Sequence, residues 1–191
     1  MKKKILTAIK LFLVLTLLVG IIYPLFISAI SMLFFSHQAD GSMISLDGKI
    51  VGSELIGQKF NSEKYFWSRP SAIDYNPFPS GASNLATTSA KLKQLYVNRK
   101  ENFAKSNFIK NSSLIPNEML FASGSGVDPD ITPESAFLQV DRICNSRNFN
   151  TTQKEGLIKL ITKIIENPQI GFLGESRINV LMLNMELDKI K

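Results

Sequence analysis

The segment ASGSGVDPDITPESA, residues 122–136, places two glycines, two aspartates and two prolines directly ahead of a stretch with helical spacing. Glycines let backbone N–H groups turn toward an anion, and aspartate oxygens suit a hard cation. Three kinds of site are therefore considered for this segment: a phosphate-binding loop, a dinucleotide-binding loop and a calcium loop.

None of the three patterns fits these residues. A phosphate-binding P-loop needs a lysine after its second glycine, and neither Gly124 nor Gly126 leads to one. The dinucleotide fingerprint needs a third glycine for close helix packing, and Pro129 stands there. A calcium loop that began at Asp128 would place Gln139 where a bidentate glutamate belongs. The segment therefore predicts neither a phosphate site of these classes nor a calcium site.

The same residues are typical of a helix start. Thr132 can cap the helix with its hydroxyl, Pro133 suits the first helical position, and Glu134 meets the positive helix end. Residues 122–132, called here the glycine loop, have two open interpretations, plain structure or contact with a partner. The candidates for partner contact are Ser123, Gly124, Ser125, Gly126 and Asp128.

No catalytic set is found elsewhere in the chain. The single histidine, His37, follows a long apolar segment, and the chain contains no G-x-S-x-G nucleophile elbow. The single cysteine, Cys144, has no partner for an internal disulfide and is predicted to lie in the core. The sequence therefore predicts a protein without catalytic residues, without a metal site and without a tightly bound cofactor.

A membrane anchor is predicted at the amino terminus. Residues 11–35 contain no charged side chain and as a helix would reach roughly 37 Å, more than the ~30 Å hydrocarbon core. The preceding flank holds four lysines, whereas the twenty residues after Phe35 hold only Lys49. Because lysines stay on the cytoplasmic side, we expect residues 1–38 to form a cytoplasmic tail and membrane helix, and residues 39–191 to form one extracytoplasmic domain in the cell (inner) membrane.

The basic charge belongs mainly to that anchor. The chain has 22 Lys and Arg against 16 Asp and Glu, so removing the four flanking lysines leaves 18 against 16. A domain this close to neutral lacks the basic stripe of a nucleic-acid-binding protein. No nucleic-acid partner is expected.

One face of the anchor carries small or weakly polar residues. They recur at intervals of four, four, four and three, which places them on one side of a helix. Small side chains permit close helix contact in lipid. This small-residue stripe is a candidate partner face, and it consists of Thr16, Gly20, Pro24, Ser28 and Ser31.

Residues 64–84, called here the aromatic loop, have no clean period and are rich in Pro, Gly and Ser. Their rings argue against disorder. Two interpretations stay open: the rings pin the loop onto its own domain, or the loop faces a partner with Trp67 as anchor and Arg69 beside it.

Three helices are predicted in the outer domain from the spacing of apolar residues. They cover residues 88–105, residues 133–147, and a segment that starts at a capping box of Thr152 and Glu155 and stops at Pro168. A hairpin is predicted around Asp47-Gly48, a strand end at residues 119–122, and a buried strand at residues 177–185, for which a helix stays open. The prediction is a mixed α/β (α+β) domain.

Several blocks together resemble the C subunit of the bacterial Kdp potassium-transporting P-type ATPase. They are GSELIGQKF, YFWSRPSAIDYN, SGASNL, ASGSGVDPDITPESA with QVDRI, and GFLGESRINVLMLN, behind one amino-terminal apolar helix. The family pattern has glycine where Ala82 stands, histidine where Asp130 stands and proline where Ser176 stands. The order and spacing of the blocks span nearly the whole chain.

The resemblance implies a non-catalytic subunit of a potassium uptake complex. Its partners would be a channel-like subunit that passes K⁺ and a P-type pump subunit that hydrolyses ATP, and ATP would be reached only through the pump subunit. We expect the domain to cap the external K⁺ entrance. The alternative is a chaperone that raises the pump subunit's ATP affinity in a transient ternary complex with ATP. A membrane-tethered enzyme acting on envelope polymers is disfavoured because no acid, base or nucleophile set is present.

Overall fold

The computed structural model describes residues 1–46 and 48–190, which divide into two compact units, Met1–Met43 and Ile44–Lys191. The first unit is one continuous helix followed by a short one. It consists of α1 (Lys2–Leu17), a π-helical turn (Leu18–Ile22), α2 (Tyr23–Phe34) and α3 (Ser36–Ala39). Among the described residues, the stretch Lys2–Phe34 is the single helix whose length and composition allow it to cross a membrane.

The π-helical turn ends just before Pro24. Proline has no N–H to donate and its ring crowds the preceding turn, so a widened turn at this point relieves the conflict. A π-helical turn rotates the chain about the helix axis by a smaller angle per residue than an α-helix does. Residues four apart therefore stay closer to one face of the helix. A Cβ atom at Gly20 would lie 3.9 Å from Thr16 Cγ2, so these two stripe residues are neighbours on one face.

The second unit combines helices and two small sheets with long irregular segments. Strands β1 (Met43–Leu46) and β2 (Lys49–Ser53) form one sheet. Strands β3 (Asp130–Ile131) and β4 (Ile178–Asn179) form the other and pair antiparallel, Asp130 with Asn179 and Ile131 with Ile178. The helices are α4 (Ala90–Ser106), α5 (Pro133–Phe137), α6 (Val140–Arg147), α7 (Thr151–Ile164) and α8 (Val180–Leu187). The prediction of a mixed helix and sheet domain is confirmed in this form.

The core of the second unit lies between these helices. Its fully buried members include Ile143 of α6, Leu157 and Ile161 of α7, and Leu183 and Leu187 of α8. Cys144 is buried beside them, as predicted, and burial raises the pKa of its thiol. Packing of apolar helix faces therefore supplies the stability of this unit.

Two of the three predicted helices agree with the structure. Residues 88–105 match α4, which Ser89 caps by accepting from Leu92 N at 3.4 Å. The third helix is α7, but its capping box is Asn150 with Gln153, so the assignment to Thr152 and Glu155 was wrong. The side-chain oxygen of an asparagine caps a helix as well as a threonine hydroxyl does, and Asn150 lies two residues before Thr152.

The helix predicted for residues 133–147 is divided in two. Gln139 N donates to Ala136 O at 3.0 Å, a tighter i to i+3 bond, and α6 starts afresh at Val140. The apolar spacing continues through this break, so periodicity alone could not place it. Gln139, the residue at the break, is fully buried.

The strand predictions need correction. In residues 177–185 only Ile178 and Asn179 pair as a strand, and Asn179 then caps α8 by accepting from Met182 N at 3.1 Å. Residues 119–122 are not a strand end, since Met119 closes a 3₁₀ turn (Asn117–Met119) and the three residues after it are irregular. Strands β1 and β2 pair as the hairpin prediction required, and Gly48 has φ +76°, whereas Asp47 lies outside the described residues.

Candidate functional site

The aromatic loop is held to the domain by side-chain amides. Phe66 N donates to Asn184 Oδ1 at 2.8 Å, and Asn184 Nδ2 donates to Phe66 O at 3.0 Å. Trp67 N donates to Gln139 Oε1 at 2.7 Å, and Gln139 Nε2 donates to Trp67 O at 3.3 Å. Asn184 and Gln139 thus take the place of a neighbouring strand and satisfy the backbone of the loop at the buried Phe66 and the half-buried Trp67.

A buried arginine completes this anchorage. Arg142 is 1% exposed, and its Nη1 donates to Glu63 O at 2.5 Å and Tyr65 O at 3.0 Å. Its Nη2 donates to Gln139 Oε1 at 2.7 Å, and its guanidinium carbon lies 3.9 Å from the centroid of the Trp67 ring. Burial lowers the pKa of Arg142 to about 10, so it stays a cation at neutral pH. We call Gln139, Arg142 and Asn184 the amide–guanidinium clamp.

A salt bridge joins the aromatic loop to the glycine loop. Arg69 Nη1 lies 2.7 Å from Asp128 Oδ2, and Asp128 Oδ1 accepts from Asp130 N at 3.1 Å. The Tyr75 hydroxyl donates to the Arg69 carbonyl, and burial raises the pKa of Tyr75 to about 12. The structure therefore brings together two predicted partner-contact residues, Arg69 and Asp128, and pairs them with each other.

Backbone contacts fix the rest of the glycine loop. Ser123 is buried and its N–H donates to Pro70 O at 3.0 Å, while Ser125 O accepts from Gly81 N at 3.0 Å. Gly126 has φ +73°, and a Cβ atom there would lie 2.5 Å from Ile73 Cγ1. Glycine is required at this position by both conformation and space.

Only the tip of the glycine loop is open. Gly124 has no neighbour that a Cβ atom would approach within 4 Å, and Gly124 and Ser125 are exposed. The two interpretations of the loop are thus divided between its residues: Ser123, Gly126 and Asp128 serve the fold, and Gly124 and Ser125 are accessible. Partner contact by the loop stays a prediction.

The helix start predicted at Thr132 is confirmed, and the Glu118 carboxylate takes part in it. Thr132 Oγ1 accepts from Ser135 N at 3.3 Å. Glu118 Oε1 accepts from both the N–H and the hydroxyl of Thr132 at 2.8 Å, and it also accepts from the Ser135 hydroxyl. Sequence reasoning missed Glu118 because it lies 14 residues from the helix it helps to cap.

Asp130, the position where the family pattern has histidine, lies beside an exposed ion pair. Arg177 Nε is 3.4 Å from Asp130 Oδ2, and Arg177 Nη2 is 2.9 Å from Glu166 Oε2. The three side chains line a cavity of about 460 Å³. Burial raises the pKa of Asp130 because the charge of Arg177 offsets only part of the desolvation.

The described residues form no candidate metal centre. Over residues 1–46 and 48–190, no three His, Cys, Asp or Glu side chains are grouped so as to hold a metal ion. The carboxylates of Glu118 and Asp128 are instead engaged by hydroxyl, backbone and guanidinium donors.

The remaining candidates fall in separate places. Trp67 is half-buried, packs edge-on against Phe103 with centroids 6.3 Å apart, and donates from Nε1 to Ser62 O at 3.0 Å. These contacts agree with the interpretation that the rings pin the loop to its domain, and the role of Trp67 as a partner anchor stays a prediction. The small-residue stripe lies in the first unit, with Thr16 on α1, Gly20 in the π-helical turn and the other three residues on α2.

Comparison with known proteins identifies the family. A family model described as KdpC, K⁺-transporting ATPase, c chain, matches residues 5–189. The chain belongs to this family. It is similar to the potassium-transporting ATPase KdpC subunit of Leptospira interrogans, at 42% identity over 95% of this chain and 91% of the relative.

Two further relatives carry the same description. The KdpC subunit of Caldanaerobacter subterraneus is 43% identical over 98% of this chain and 95% of its own length. That of Mycobacterium bovis is 38% identical over the full length of both chains. The resemblance found in the sequence is confirmed, and it covers both the apolar helix and the folded unit.

Proposed function

We propose that this chain is a non-catalytic accessory subunit of an ATP-driven, high-affinity potassium uptake complex, anchored by its amino-terminal helix. Its folded unit would lie outside the membrane and cap the external K⁺ entrance of the channel-like subunit. The observation that carries this proposal is a full-length match to a family of potassium-transporting ATPase subunits, in a chain with one apolar helix and lysines before it.

The orientation rests on the charges beside the helix. Lys2, Lys3, Lys4 and Lys10 precede or begin the apolar stretch, and Lys49 is the one lysine in the twenty residues that follow Phe35. Retention of lysines on the cytoplasmic side would put the amino terminus inside and the carboxy-terminal unit outside. The helix Lys2–Phe34 has 33 residues, about 50 Å at ~1.5 Å per residue, which suffices to span the bilayer and extend beyond it.

The non-catalytic role is supported by what the buried polar groups do. Arg142, Gln139 and Asn184 are fully or almost fully buried, and each is committed to the backbone of the aromatic loop. Asp128 is committed to Arg69, and Glu118 to the start of α5. These groups build a firm support for two loops, which suits a surface that contacts a partner.

An effect on ATP hydrolysis would be indirect in this arrangement. The folded unit and the nucleotide site of a pump subunit would lie on opposite sides of the membrane, so coupling would pass through the membrane helices by favouring one state of the pump. The alternative, a direct chaperone for ATP, requires the folded unit to be cytoplasmic. Binding of ATP to the purified full-length chain with a micromolar constant would favour that alternative.

The two functions are separated by truncation of the chain after residue 43, which keeps the first unit and removes the second. Complexes purified with the full or the truncated chain are compared for the K⁺ and the ATP dependence of ATP hydrolysis. A cap predicts that the apparent K⁺ affinity changes while the apparent ATP affinity does not. A chaperone predicts the reverse, and that result would overturn the proposal.

A further inference from the structure

A cavity of about 450 Å³ lies between the aromatic loop and α4. Three of its walls are aromatic, formed by Phe60, Trp67 and Tyr75. The charged groups that line it are Lys59, Asp74 and Arg99. The cavity thus combines flat apolar walls with a small number of charges, as small-ligand sites do.

The charges in the cavity do not cancel. Lys59 Nζ lies 2.5 Å from Asp74 Oδ1, so these two form a pair. Arg99 donates from Nη1 to Leu120 O at 3.0 Å, and in the part of the chain that the structure describes it forms no ion pair with a carboxylate within 4.0 Å. Arg99 is half-buried, and burial lowers its pKa. Partial burial of a cation that has no neighbouring anion costs free energy, and a bound anion would offset that cost.

The wall opposite α4 is held in an unusual conformation. Asp74 and Tyr75 are consecutive non-glycine residues with φ of +54° and +61°. Ser71 Oγ supports them by accepting from Ile73 N at 3.2 Å and Tyr75 N at 2.9 Å. Such conformations are uncommon for bulky residues and cluster at ligand sites, where the surrounding structure fixes them. The turn places the ring of Tyr75 in the cavity wall.

We infer that this cavity binds an oxyanion, a carboxylate or a phosphate, with Arg99 as the principal cation. The guanidinium keeps N–H donors beyond the one used on Leu120 O, and its planar fork matches two oxygens of a carboxylate or phosphate. The Ser71 hydroxyl accepts two N–H groups and retains its own hydrogen as a donor at the same wall.

Two sources supply this chemistry. One is the acidic side chain of a partner subunit inserted into the cavity, and the other is a free carboxylate or phosphate. Binding of a free anion to the purified chain does not depend on the function proposed above. Only the assignment to a partner side chain rests on that proposal.

The binding test uses the full-length chain in detergent. Trp67 lines the cavity and is the only tryptophan, so its fluorescence reports occupancy directly. Sodium acetate and sodium phosphate are titrated separately at constant ionic strength against sodium chloride. We expect a saturable change with at least one of the two anions. Arg99→Gln should weaken the apparent affinity by about tenfold or more, the effect of losing a charged hydrogen-bonding partner.

The control is Lys93→Gln, which removes the same charge from an exposed position of α4 outside the cavity and should leave the titration unchanged. A thermal melt shows whether Arg99→Gln is folded. If it is not, Arg99→Lys replaces it, since lysine keeps the charge but loses the fork and should still bind more weakly than the parent. No saturable response in the parent, or equal affinity in parent and the folded Arg99 variant, would overturn the inference.

Assembly distinguishes the two sources. If Arg99→Gln but not Lys93→Gln reduces copurification with the other subunits, the anion is a partner's acidic side chain. If both variants assemble like the parent while Arg99→Gln no longer binds acetate or phosphate, the anion is a free one. Both results support the oxyanion site, and only the first draws on the proposed function.

Discussion

The guanidinium carbon of Arg142 lies 3.9 Å from the centroid of the Trp67 ring, so a buried cation and the only tryptophan of the chain form one contact. The same guanidinium donates to the carbonyls of Glu63 and Tyr65. The aromatic loop is therefore fixed from inside the domain, by one side chain that binds both its backbone and its ring. A loop held in this way can present exposed residues to a partner without first being ordered.

Replacing Arg142 should destabilise the domain strongly. Arg142→Met removes the donor to two carbonyls and leaves Gln139 Oε1 with one partner fewer, so we expect the free energy of unfolding to fall by about 2–4 kcal/mol. Arg177→Met is the control, because its ion pair with Glu166 is exposed and should be worth less than about 1 kcal/mol. Urea unfolding of the full-length chain in detergent, followed by circular dichroism, measures both. Similar losses for the two variants would contradict the account.

The packing of Trp67 has its own consequence. The ring contacts Phe103 and Arg142, and Trp67→Ala should lower the free energy of unfolding by about 1–3 kcal/mol, less than for a fully buried ring. Trp67→Phe keeps an aromatic surface and should lose less. Circular dichroism melts give the comparison. If Trp67→Ala melts like the parent but no longer copurifies with the other subunits, the ring acts as a partner anchor and its packing in the domain is incidental.

The protonation of Asp130 gives a pH dependence with a defined sign. Burial raises the pKa of this carboxyl above 3.8, so the folded state holds the proton more tightly than the unfolded state does. Stability from this group is therefore present at acidic pH and lost as the pH rises through the folded-state pKa.

Asp130→Asn is uncharged at every pH, so it tests that sign. Relative to the parent, its free energy of unfolding should rise as the pH increases above 3.8, because only the parent must then keep a charged carboxylate in a partly buried place. Denaturant melts at several pH values supply the measurement. A variant that becomes progressively less stable than the parent as pH rises would mean that the Arg177 contact outweighs desolvation.

The small-residue stripe should mediate contact with another membrane helix. Replacing Gly20 and Ser28 together by Leu keeps the segment apolar enough to insert but fills the space that close helix approach needs. We expect the double variant to insert and to lose copurification with the other subunits. Val19→Leu with Ile27→Leu, off the stripe, is the matched control and should assemble normally. Normal assembly of the Gly20 and Ser28 variant would show that the stripe is not an interface.

The sequence predicts helices most accurately where one face of the helix is buried and the other is exposed to solvent. Helices α4 and α7 have polar and apolar sides, and their spacing placed both ends of α4 and the start of α7 to within two residues, whereas α7 ends at Ile164, before the predicted stop at Pro168. The short, apolar run of residues 177–185 predicts a strand with a helix left open, because it lacks the polar and apolar alternation that distinguishes the two. Helix α8 lacks that alternation since Val180, Leu181, Leu183 and Leu187 are all buried.

The amide–guanidinium clamp was beyond sequence reasoning for a different reason. Asn184 and Phe66 are 118 residues apart, and Gln139 and Trp67 are 72 apart, so nothing local indicates that they meet. The same holds for the Arg69 and Asp128 pair, which joins two segments that the sequence singled out separately. Residue types and spacing identified the two loops, whereas their mutual contacts follow from the packing of the helices between them.

The side of the membrane on which the folded unit lies is tested most directly by thiol labelling. Cys144 is first replaced by Ser, which removes the one native thiol. A cysteine is then introduced at the exposed Glu155 of α7, or, as a control, at Lys2 before the apolar stretch. A membrane-impermeant maleimide is applied to intact cells and, in parallel, to permeabilised cells. The account predicts labelling of Glu155→Cys in intact cells and of Lys2→Cys only after permeabilisation, whereas the reverse pattern would place the folded unit in the cytoplasm and contradict it.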